Sequence, residues 1–392
     1  MYTFSKNAKL VTYIMMAIGA IALVYGFATD GHRTWPSLLL NNFFWMAVSL
    51  GAIFFLAVQY AAEAGWATGL KRIMQAQGSH VLFGGIIMLI IFIAGAMHWN
   101  HIYHWMAEGV MDPESHHYDK IIAGKQAYLN VPFFLIRAII YIAGWAWAGH
   151  MLRKLSLKED MIGGTEPYFK SRKISAIFLV FFAVTSSMAA WDWIMSIDTH
   201  WFSTLFGWYV FISFFVSALS VLALLTVYLK KIGHLEIIRV DHLHDLGKFM
   251  FAFSIFWTYL WFSQFMLYWY SNIPEEVVYF QQRITDYKWP FFIMLGINFA
   301  LPVFLMMTRD AKRAWNTVAI MAVIIVFGHW MDFFVMIMPA TVGHHFHIGF
   351  VEIGGFIGFG GFFFFNVLRT LAKAPLIPKN HPMLKESEIH HI

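Results

Sequence analysis

Apolar runs separated by short polar stretches dominate the chain of 392 residues. A membrane-crossing helix needs roughly 20 mostly apolar residues. Windows of that length predict ten helices, over 10–29, 36–62, 78–98, 131–150, 174–195, 203–229, 247–269, 287–306, 315–338 and 347–372. The first run follows Lys6 and Lys9 and resembles a signal peptide. It is read as a retained helix, because no small-residue cleavage site precedes Asp30. The pattern predicts an all-α integral membrane protein, about ten transmembrane helices arranged as helix bundles. It forms a single polytopic domain, with an outer loop over 99–130, a basic inner loop over 151–173 and a polar tail over 373–392 that lies along the surface or against a partner.

The polar positions orient this array. An even number of crossings puts both termini on one side, and most of the 27 Lys and Arg fall there. On the other side stand Arg33, Lys120, Lys125, Arg283 and Lys288, with Arg137 inside a helix. The positive-inside rule therefore predicts that both termini are cytoplasmic. The formal charge of +5 follows from these loops and carries no nucleic-acid reading. The chain is 59% hydrophobic and 12% charged, far from a soluble domain. With no cysteine, it excludes Cys-ligated iron–sulfur clusters, structural Cys zinc sites, c-type haem attachment and disulfides within itself.

Ionisable residues inside a bilayer are costly and are functional candidates by default. Arg137 is expected about 9 Å below the outer boundary, by helical rise. Asp192 falls within the last turn before that boundary, with Asp198 and His200 in the loop beyond. His329 and Asp332 share a helix face at i and i+3, roughly 9 to 14 Å deep. Glu352 lies one to two turns in, and His98 ends a helix. These residues are expected to converge on an outer polar pocket. Glu63, His80, His150 and Lys248 mark a sparser inner one, across an apolar middle. Two such half-channels suit proton passage. The plainer reading is structural: Asp192 capping a helix or paired with Arg137, and Glu63, His98 and His150 as boundary residues.

The histidines of "HWNHIYH" (His98, His101, His104) and "GHHFH" (His344, His345, His347) fall at helix ends or in outer loops. Haem b needs two deep histidines on neighbouring helices, and only His329 is convincingly deep. The "GGFIGFGG" run lies inside an apolar helix, where small residues permit close packing and not phosphate binding. Aromatic side chains supply interfacial belts and lipid-facing bulk.

The ten-helix pattern, together with "DWIMSIDTHWFSTLFG" (192–207) and "HPMLKESEIHH" (381–391), resembles the NrfD-like (polysulfide reductase membrane subunit) family. Within that family it is similar to the membrane subunits of alternative complex III, a bacterial quinol:electron acceptor oxidoreductase. The resemblance spans essentially the whole chain. It implies a respiratory assembly with multihaem and monohaem cytochromes c, an iron–sulfur protein, a paralogous NrfD-like subunit, small membrane subunits and a terminal cytochrome oxidase as a further neighbour, all among lipids. It implies that haem c, iron–sulfur clusters and quinol reside with partner subunits, that no cofactor is bound by this chain, and that this subunit scaffolds and conducts protons. A purely structural anchor, or a quinone- or haem-binding electron carrier, are the alternatives.

Overall fold

The computed structural model describes residues 1–344 and 347–391. Among them there is no strand, and ten helices are long and apolar enough to cross a membrane. They are α1 (Lys6–Thr29), α2 (Gly31–Ala61), α3 (Trp66–Ala96), α4 (Val131–Ile162), α5 (Glu166–Ile197), α6 (Phe206–Lys231), α7 (Val240–Ser271), α8 (Lys288–Met306), α9 (Trp315–Val342) and α10 (Phe350–Leu371). This is a multi-pass membrane architecture, as the apolar pattern predicts. Helices α2 to α5 pack together, α6 to α9 form a second group, and α2 joins the two through α6 and α9. The most enclosed helices are α2, α6 and α9, and the last two carry Asp332 and most of its partners.

Helices α1 and α10 form a peripheral pair. A Cβ on Gly19 would stand 2.4 Å from the Cα of Gly358, and one on Gly361 would stand 2.6 Å from the Cβ of Met15. The glycine run of α10 is thus a packing surface, as read from the sequence.

Several helices outrun their apolar windows. The expected inner loop over 151–173 is mostly helix, because α4 continues to Ile162 and α5 starts at Glu166. Gly163 and Gly164, at φ of +66° and +73°, make the turn. Hydropathy marks where lipid ends, while a helix continues for as long as its backbone bonds are favourable. The outer loop over 99–130 holds only a short helix, Lys120–Ala123, and a single 3-10 turn. The tail folds back on this chain's own terminal face and carries a short helix, Leu384–Glu388.

Candidate functional site

Two buried aspartates organise the interior of the helix bundle. Asp192, near the end of α5, is fully buried and meets Arg137 of α4 in a two-pronged ion pair, Nε to Oδ2 at 2.8 Å and Nη2 to Oδ1 at 2.9 Å. The hydroxyl of Tyr141, one helical turn along α4, donates to Oδ2 at 3.2 Å. The guanidinium also donates to the carbonyl of Tyr128 and lies 4.0 Å from the Tyr128 ring centre and 4.2 Å from that of Phe133. The two-pronged contact, with its supporting bonds to Tyr141 and Tyr128, makes this pair a clamp between α4 and α5.

Asp332 of α9 is equally buried but differently held. The hydroxyl of Tyr209 donates to Oδ1, while Ser213 Oγ at 2.8 Å and Trp257 Nε1 at 2.9 Å donate to Oδ2. Its partners come from α6 and α7 and are uncharged. Among the described residues only His329 approaches as a possible cation, with Nδ1 3.9 Å from Oδ2. Ser213 Oγ also lies 3.0 Å from Nδ1 of His329, so one hydroxyl serves both groups. The far ring nitrogen of His329, Nε2, is buried without a protein partner, as are both amide atoms of Asn298 and the hydroxyl of Ser254. Asn298 sits in a π-helical turn, Gly296–Ala300, packed so closely on Gly328 that a Cβ there would stand 2.1 Å from its Oδ1. Wide turns of this kind recur at functional sites.

Because α9 runs to Val342, His329 lies about 20 Å from either end, near the middle of its helix. The expected apolar middle is corrected: Gln77, Ser217 and Ser220 are fully buried between the two ends of the bundle. Gln77 donates to the Ala218 carbonyl at 3.0 Å, and Ser217 and Ser220 bond back to α6 carbonyls. Their signal was present in the spacing of Ser213, Ser217 and Ser220 within an otherwise apolar helix.

The single outer pocket is resolved into separate places. Glu352 is the third residue of α10, where Oε2 accepts from the Gly349 amide at 2.8 Å and Oε1 accepts from Arg33 Nε at 2.7 Å. Its carboxylate caps its own helix. Asp198 is half-buried at the surface. His200 is exposed and pairs with Asp119 at 2.6 Å, outside any pocket containing Asp332. His98 is exposed, 3.8 Å from Glu108, and joins none of these groups. Of the inner candidates, Glu63 is ion-paired with Arg172 at the surface, and His150 is exposed on the side of α4. His80 is buried, bonded through Nδ1 to Asn366 at 3.0 Å and packed edge-on against Phe362 and Phe363. Lys248 pairs with Asp245 on α7. His345 lies outside the described residues.

Two cations assigned to loops are buried. Arg283 donates from Nε to the Val335 carbonyl at 3.0 Å and from Nη2 to that of Met336 at 3.2 Å. Pro339, four residues after Val335 in α9, has no N–H for that carbonyl, so Arg283 completes the interrupted ladder. Lys71 is the second, and lies at the opposite face.

Among the described residues no group of three or more His, Asp or Glu is arranged to hold a metal ion. A cleft next to α5, of about 220 Å³, is walled by Trp191, Met195, Trp201 and Phe202, with Lys125 at its edge. No protein-family model and no curated protein matches the chain.

Proposed function

We propose that this chain is a membrane subunit of a quinol-oxidising respiratory complex in the bacterial inner membrane, NrfD-like and similar to subunit ActF of alternative complex III. In this reading it scaffolds the redox partners, keeps both termini in the cytoplasm, leaves haem c, iron–sulfur clusters and quinol to partner subunits, and passes protons through Asp332. The observation that carries the proton role is a carboxyl buried deep in the bundle with three uncharged donors and a histidine beside it. A permanent charge at such a place is costly. A charge that comes and goes fits the wiring, because Ser213 can turn its hydroxyl from Oδ2 to Nδ1 of His329 when the carboxyl takes a proton.

The test is Asp332→Asn in the intact assembly, in membrane vesicles, scoring assembly, quinol oxidation and protons moved per electron. The expected result is a lowered proton-to-electron ratio in a complex that still assembles; an unchanged ratio sinks the proton role. A purely structural anchor is favoured by the ion pairs Asp192–Arg137 and Glu352–Arg33. Under that reading Asp332→Asn acts only through folding.

A further inference from the structure

At the face that carries the termini, the ends of α2, α3, α4 and α5 enclose a second set of ionisable groups. Lys71 is 0% exposed and Glu159 1%. Arg72 donates from Nη2 to Asp160 at 2.5 Å and to the Ser156 carbonyl at 3.0 Å. Around them, Glu159 Oε1, the Tyr60 hydroxyl, Arg72 Nε, Gln75 Nε2 and the hydroxyls of Ser156 and Ser175 are all buried without a protein partner. Each such atom left unsatisfied costs about 1–3 kcal/mol, so this cluster is a polar chamber whose open bonds internal water would satisfy.

The tail closes this chamber. Lys379 N donates to Asp160 Oδ1 at 2.9 Å, Asn380 Nδ2 donates to the Asp160 carbonyl at 3.0 Å, and His381 Nε2 lies 2.8 Å from Lys71 Nζ. Further on, Ser387 Oγ donates to the Trp66 carbonyl at 2.8 Å, and His390 meets Asp245 at 2.7 Å. The amide of Met383 donates to Nδ1 of His381 at 3.1 Å, so the neutral ring carries its proton on Nε2 and donates it to Lys71 Nζ, which accepts as an uncharged amine. Burial, with Lys71 and Arg72 alongside, pushes this imidazole down to about 3, so it remains uncharged at any pH of a living cell. These bonds are polar and separable, and none is part of the helix packing.

We propose that this chamber is a proton-loading site on the terminal face, with Glu159 as the group that takes the proton and the tail, held through His381, as its removable lid. The step is a simple transfer: a proton from the aqueous phase joins the Glu159 carboxylate to give the acid, with no electron moved. The inference rests on the proton-conducting reading. Inward of the chamber, Gln77 and then Ser220, Ser217 and Ser213 of α6 supply buried polar atoms up to Asp332.

The absence of native cysteine gives a background-free test. Ser156→Cys and Ser175→Cys are introduced singly into the full chain in its native membrane. A small charged methanethiosulfonate is then applied from the terminal face. Labelling is expected to be slow with the tail intact and about tenfold faster in His381→Ala, the shift expected from loss of one buried hydrogen bond. Labelling as slow in both backgrounds as at Ser213→Cys would show no accessible chamber. Labelling as fast with the tail intact as at exposed Ser5→Cys would show no lid; either result overturns the proposal. Glu159→Gln is expected to lower the proton-to-electron ratio at least twofold. If Asp332→Asn lowers that ratio and Glu159→Gln does not, the loading role fails while the functional reading stands. If neither does, the functional reading fails and the loading role with it.

Discussion

Asp192 and Asp332 are chemically identical, equally buried and one helix pair apart, yet they are wired in opposite ways. Asp192 is matched by a guanidinium in a planar, two-bond contact, and the cation is itself held by a carbonyl and two aromatic rings. Asp332 is matched by two hydroxyls and an indole N–H, with a histidine one turn away. The first arrangement is complete only when the aspartate is ionised. The second can be rearranged hydroxyl by hydroxyl around either form. Partner charge, more than depth, separates a clamp from a group fit for proton exchange.

The sharpest way to break this comparison is to remove one side of the clamp. Arg137→Met leaves Asp192 buried without its cation, and is expected to cost about 3–5 kcal/mol of stability. The readout is the unfolding midpoint of the detergent-purified protein. A loss below about 1 kcal/mol would show that water or another donor replaces the guanidinium, and the clamp reading would fall. Next in size are the donors of the second site. Ser213→Ala and Trp257→Phe each remove one donor from a buried carboxyl and are expected to cost about 1–2 kcal/mol by the same measurement. Tyr209→Phe belongs with them, since its hydroxyl serves the other oxygen.

Smaller still is the stability effect of Asp332→Asn. An amide oxygen still accepts from the Trp257 indole or a hydroxyl, and its N–H₂ meets hydroxyls that can turn to accept. The expected loss is about 1 kcal/mol or less. At Asp192 the same replacement unpairs a buried cation and costs several times more, about 3 kcal/mol. Equal losses at the two positions would erase the distinction drawn between them.

How much of this was legible in the sequence follows the same division. The ten crossings were legible because apolar run length is a direct requirement of the bilayer. The shared face of His329 and Asp332 was also legible, since helical periodicity fixes which residues of one helix share a side, whereas the pairing of Asp192 with Arg137, on another helix, stood only as an alternative to helix capping. Tyr209, Ser213 and Trp257 were not, because they sit on other helices whose approach is a matter of tertiary packing. Nor was the chamber beneath the tail. Lys71 and Arg72 read as topology-setting loop charges, whereas Arg72 is held by Ser156 and Asp160 of α4 and Lys71 lies between the Tyr60 ring and His381 of the returning tail. Glu352 had a local signal that was passed over: a glycine three residues before a glutamate, at the start of an apolar run.

The smallest effect is expected at a third aspartate, Asp119, a half-buried surface reference for the two buried ones. Asp119 accepts from the amides of Ile121 at 2.8 Å and Ile122 at 3.1 Å, capping the short helix Lys120–Ala123, and pairs with His200 across the outer loops. The Ile122 amide first, then the His200 ring and the Ile121 amide, hold its carboxyl below the ordinary value of 3.8. A carboxyl held lower in the folded protein stabilises it fully above its unfolded value and ceases to do so as pH falls through the folded value. Amides 120–123 should therefore keep their protection from neutrality down to about pH 4 and lose it below. Hydrogen exchange across that window, in wild type and in Asp119→Asn, measures the effect directly. The variant should exchange faster at neutral pH and show a flatter pH response, since its cap no longer titrates. Solvent screens this pair, so the change should stay confined to the loop. A loss of order spreading from Asp119 into α5 would mean that the outer loops help to hold the Asp192 clamp, and the contrast between the two buried aspartates would then include the loop packed over one of them.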